Sequence, residues 1–117
     1  MSVKSVYYKG KYIYYADYRD CKTEDEMLQT LEEFSNTLKA LPTRVPILNN
    51  FEGSSITKEF MSRLKTLGKE ADNKMSKISA IGVKGLKNIF IQAYNNFTGQ
   101  NVMVFLTETE AMEWLTK

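Results

Sequence analysis

Between an extended run and a helical one the chain reads Asn49-Asn50-Phe51-Glu52-Gly53-Ser54-Ser55-Ile56-Thr57, and the adjacent serines are the first residues whose type and position suggest chemistry. Either hydroxyl could carry a phosphate. That group would add roughly −1.5 to −2 charges at a helix start, where free amides and the dipole favour an anion by about 0.3 to 1 kcal/mol. Lys58 follows closely enough to add to the attraction. The same letters also serve a purely structural end. Serine and threonine cap the first amides of a helix, so Ser55 or Thr57 fits a cap and Gly53 eases the turn.

A second anion-binding candidate precedes the third helical run. Gly82 and Gly85 flank Val83 and Lys84, so free amides at Gly85 together with Lys84 and Lys87 could hold a phosphate. The spacing matches neither the P-loop nor the dinucleotide fingerprint, and close strand-to-helix packing explains the glycines as well. Other chemistries are short of parts. The chain has no histidine and a single cysteine, Cys21, which excludes Ser-His and Cys-His dyads, an internal disulfide and paired-thiolate metal sites. The carboxylates Asp17, Glu52 and Glu59 show no spacing that argues for paired acid-base work. A non-enzymatic protein without cofactor or metal is expected.

Residues 17–33 hold Asp17, Asp20, Glu24, Asp25, Glu26, Glu32 and Glu33 against Arg19 and Lys22, whereas residues 58–87 are dominated by lysine and arginine. Poles of this kind steer charged partners or mark solvated helix faces. A net charge of +2 and a pI near 8.6 are modest, and no RNA-binding aromatic motif is present, so nucleic acid is not an expected partner. With 117 residues, 43% apolar and 26% charged, the chain fits one globular domain. No apolar run reaches the roughly 18 residues of a membrane span, and MSVKSVYYKG lacks a secretory core, so a cytoplasmic location is expected.

The elements that must position these groups follow from periodicity. Two β-type runs, about 3–8 and 12–18, flank Lys9-Gly10-Lys11 and read as a hairpin. Tyrosines at even and odd positions place aromatic area on both of its faces, so one face needs cover from a helix, a second chain or a ligand. Tyr7, Tyr12 and Tyr14 are the interface candidates there. Thr23 and Glu26 have capping-box spacing ahead of an amphipathic helix at about 24–40 that Pro42 ends. RVPILNN reads as a buried strand with Pro46 at its beginning, Thr57 onward as a second helix, KISAIGV (77–83) as a strand, 85–97 as a helix ended by Gly99, and NVMVFL as the last strand. Thr107 and Glu110 repeat the capping-box spacing before a closing helix.

The order β-β-α-β-α-β-α-β-α predicts an α/β domain with a five-stranded, mostly parallel sheet, an N-terminal hairpin and four helices. This succession, with GVKGLKNIF, YNNFTG and the closing FLTETEAMEWL, resembles the small bacterial STAS-like proteins over essentially residues 3–117. Those proteins are related in fold to the sporulation anti-sigma-factor antagonist and more distantly to the CRAL-TRIO domains. The resemblance implies that α/β fold. It also implies a phosphorylated serine opening the second helix, where the antagonists carry Asp-Ser-Ser-Gly and this chain matches only at Ser54 and Ser55. A regulatory domain that binds a protein partner or its own copy as a homodimer is therefore expected, and the alternative is a binding protein for a small anionic or lipid-like ligand.

Overall fold

The hairpin forms as the tyrosine-rich opening requires. In the computed structural model, which describes residues 2–117, β1 (Val3–Tyr8) pairs antiparallel with β2 (Lys11–Asp17) across Lys9 and Gly10, both at positive φ. The first helix, α1 (Glu24–Lys39), opens on the expected capping box: Thr23 accepts from the Glu26 amide, and the Glu26 carboxylate accepts from the Thr23 amide. Then follow β3 (Val45–Asn50), α2 (Lys58–Glu70), a 3₁₀ turn (Asp72–Lys74), β4 (Met75–Ile81), α3 (Leu86–Thr98), β5 (Val102–Phe105) and α4 (Glu108–Leu115). The domain is thus α/β, with one antiparallel pair in an otherwise parallel sheet. Pro46 lies second in β3, and the register of β3 on β4 shifts there, between Val45 and Ile47, because proline brings no amide to the ladder. β4 starts and ends two residues earlier than KISAIGV suggests, since Gly82 at φ +75 turns the chain out of the sheet.

Strand order equals chain order, β1-β2-β3-β4-β5. Parallel crossovers share one hand, so crossovers that always step the same way must lay their helices on the same face. Accordingly α2 packs between α1 and α3. The main core lies beneath them, built from Ala16, Tyr18, Leu31, Ile47, Phe60 and Ile78 with their neighbours. Tyr18 stacks on Phe51 at 4.9 Å and meets Phe60 edge-on. Only α4, the helix after the last strand, crosses to the opposite face, where Ala111 and Leu115 bury Ile13, Tyr15, Leu48 and Ile81. The cover demanded by the second aromatic face of the hairpin is therefore α4. Tyr8 donates to Glu113 at 2.5 Å, Tyr15 donates to Glu108 at 2.5 Å, and Lys9 pairs with Glu113 at 2.6 Å.

This winding leaves the last layer unfinished. α1 and α2 each have a helical neighbour on the side toward β5, but α3 has none, because the next helix lies across the sheet.

Candidate functional site

The two serines follow the carboxyl end of β3, in the connection to α2. They differ completely in situation. Ser54 is buried, and its hydroxyl donates to the Phe51 carbonyl at 2.8 Å, pinning the turn that leaves β3. Ser55 is exposed and beside a polar hollow of about 200 Å³ lined by Arg19, Cys21, Thr23, Gly53 and Thr57 among others. The cap of α2 is Thr57, which accepts from the Phe60 amide at 3.1 Å, so Ser55 has no capping duty. Arg19 is held by Asp17 (Nη2 to Oδ2, 2.6 Å), and that pairing keeps the Asp17 carboxyl below the usual carboxylate range.

The basic candidates do not converge. Lys58 is exposed at the start of α2, and Lys84 is exposed in the loop after β4. Lys87 turns inward: its ammonium donates to the carbonyls of Phe51 (3.0 Å) and Gly82 (3.3 Å), and the loss of water there pushes its pKa down. It works as a latch between two strand-end loops. Those loops touch so closely that a Cβ on Gly82 would fall within 3 Å of the Glu52 and Phe51 backbones. The amides needed for a phosphate cradle at Gly85 are largely spent, since Lys87 N–H donates to Lys84 O and Asn88 N–H to Gly85 O. Gly85 at φ +58 offers α3 no side-chain cap.

The interface candidates of the hairpin divide as well. Tyr7 and Tyr12 are exposed and pack edge-to-face at 4.8 Å. Tyr14 is half-buried against the main core and is a packing residue.

A different surface, missed by the sequence reading, stands at the β5 edge. Leu86 (75% exposed) and Ile89 (61%) open α3, while Val104 (39%) and Leu106 (85%) lie at the end of β5. All belong to the same end of the sheet, because the Lys87 latch holds the start of α3 against the ends of β3 and β4, and β5 runs parallel to them. Phe97, also exposed, turns to α2 instead, with the ammonium groups of Lys65 and Lys69 at 5.6 and 5.0 Å from its ring. A signal was available: from Asn88 to Thr107 the chain contains no Asp, Glu, Lys or Arg, although charged residues make up 26% of the whole.

Inside the main core a cavity of about 40 Å³ is bounded by Leu31, Ser35, Leu67, Met75 and Tyr94 among others. Among the described residues the buried Ser35 hydroxyl has no hydrogen-bond partner. The rest of the lining is almost wholly apolar, and a cavity of that kind stays dry. Among the described residues no group of three potential metal-binding side chains occurs, and no helix is long and apolar enough to cross a membrane.

Comparison with protein-family models, with curated proteins and with solved structures returned no match to this chain.

Proposed function

We propose that this chain is a non-enzymatic interaction domain of STAS-like type that binds another polypeptide through the flank made by β5 and the start of α3. The observation that carries the reading is the exposure of Leu86 and Ile89 at the start of α3 and of Val104 and Leu106 at the end of the edge strand β5, within a stretch that holds no charge after Lys87. Charge depletion around exposed aliphatic side chains is the compositional mark of an interface centre. The element order β-β-α-β-α-β-α-β-α supports the STAS-like assignment.

Regulation by phosphate belongs to Ser55 in this reading, since its hydroxyl is exposed whereas Ser54 is committed to the Phe51 carbonyl. A phosphate there would meet the start of α2, where free amides favour an anion. The alternative is a binding protein for a small anionic or lipid-like ligand, and enclosing a lipid-like ligand within the core would need several hundred Å³. The core cavity of about 40 Å³ is too small for an enclosed lipid-like ligand.

A photo-reactive phenylalanine analogue tests this in cells. Placed at Leu106 it is expected to trap a defined polypeptide, identified by mass spectrometry, and Ile89→Glu should abolish the adduct. Absence of an adduct at Leu106, or equal trapping from Tyr12 at the hairpin, contradicts the proposal.

A further inference from the structure

We infer that the partner presents an acidic amphipathic helix to the outer seam between α2 and α3, with its apolar stripe on Leu86, Ile89 and Phe97 and its carboxylates on Lys58, Lys65 and Lys69. The inference rests on the interaction reading above, shares Leu86 and Ile89 with it, and names the partner's chemistry.

The two seams of the helical layer are closed differently. Across α1 and α2, Arg63 pairs with Glu32 at 2.6 Å and Lys39 with Glu70 at 3.1 Å, so the charges on that side of α2 are matched within the fold. On the side toward α3 they are not. Lys58, Lys65 and Lys69 recur at helical spacing on one face of α2, and among the described residues none of them has a carboxylate partner. Nor can α3 supply the missing acid, because it holds no Asp or Glu.

The ammonium groups of Lys65 and Lys69 stand 5.6 and 5.0 Å from the Phe97 ring, which sets the two helices side by side at that end. α2 and α3 each join parallel neighbouring strands, so they run in the same direction, and Lys58 is brought to the Leu86 end. The separation from Lys58 to Lys69 equals that from Leu86 to Phe97, so a basic row and an apolar row lie together, each about 16 Å long. Leu86, Ile89 and Phe97 are all exposed.

This pairing of rows selects an occupant. An apolar row alone accepts any apolar surface, but uncompensated cations along one side of it call for acid on the matching side of the partner. An amphipathic helix of roughly three to four turns has that form, with apolar anchors at i, i+3 or i+4 and i+7 and carboxylates on the adjoining flank. On its other flank α3 presents Asn88, Gln92 and Asn96, exposed and uncharged, which require no second row of charge. An anionic bilayer would be met by cations on both sides of the inserted residues, and here they stand on one side only.

Fluorescence anisotropy of the whole chain with labelled synthetic peptides tests the inference. The peptides are helical, about 18 residues long, share one leucine stripe and carry glutamate, glutamine or lysine beside it. The glutamate peptide is expected to bind at least about tenfold more tightly than the lysine peptide. Lys58→Gln with Lys69→Gln, both at exposed positions, should remove most of that preference with circular dichroism unchanged, whereas Lys11→Gln with Lys22→Gln, which lowers the net charge equally, should preserve it. Ile89→Glu should weaken all three peptides. Equal affinity for the three, no binding of any of them up to about 200 µM, or a preference that ignores the α2 lysines would each overturn the inference. So would co-sedimentation with phosphatidylserine-phosphatidylcholine vesicles that Lys58→Gln with Lys69→Gln abolishes, since that result assigns the seam to a bilayer. A polypeptide trapped from Leu106 by a chain that ignores peptide charge would sink the acidic helix alone, whereas no adduct at all would sink the interaction reading with it.

Discussion

At the scale of single residues, the serine pair illustrates how neighbouring letters divide their duties. Ser54 has become part of the fold through one carbonyl, and Ser55 is free because Thr57 took the cap. Gly68 gives a sharper case. It lies within α2, where alanine would ordinarily gain up to about 1 kcal/mol in helix propensity. A Cβ there, however, would overlap the Tyr94 ring and hydroxyl. That hydroxyl donates to Gln100 at 2.6 Å, and Gln100 in turn donates to the Gly68 carbonyl at 3.0 Å, so the ring cannot simply move away. Overpacking costs about 1 to 3 kcal/mol and outweighs the propensity gain. Gly68→Ala is therefore expected to lower stability in urea unfolding by about that amount. Adding Tyr94→Phe should restore part of the loss, because the atom most directly in the way is the hydroxyl oxygen; a fully additive double variant would contradict this packing.

At the scale of elements, both capping boxes were legible in Thr23–Glu26 and Thr107–Glu110, because a cap is a local device whose two partners are three residues apart. What was not legible is which face each helix covers. That depends on the direction of every crossover, and no short window of sequence holds it. Hence the tyrosines of β2 appeared to lack cover, whereas Tyr15 is buried under α4 and bonded to both Glu108 and Asn50. The tie has a pH signature. Burial first, and then the bond to the Glu108 carboxylate, push the Tyr15 phenol from its ordinary 10.0 up to about 12. A group whose pKa is raised by folding contributes stability that is complete below the unfolded value and is lost as pH climbs through the folded one. Urea midpoints of the wild type should thus fall more steeply between pH 10 and pH 12 than those of Tyr15→Phe. Parallel profiles would show that this phenol does not couple α4 to the sheet.

At the scale of the molecule, strand order is the property from which the rest follows. The monotonic winding places α1, α2 and α3 on one face, sends α4 to the other, and leaves β5 and α3 without a neighbour at one edge. The anion-binding candidates Lys58, Lys84 and Lys87, which the sequence pattern groups, do not converge, since Lys87 donates to two carbonyls. The surface that did assemble was marked by missing charge, a signal spread over α3 and β5 together and invisible within either. Hydrogen exchange of the amides from Val102 to Leu106, followed by mass spectrometry with and without the polypeptide trapped from Leu106, addresses this edge directly. Protection there is expected to grow with added partner while the β1 amides remain unchanged. Exchange at β5 that is indifferent to the partner would contradict the assignment of this edge as the working surface of the protein.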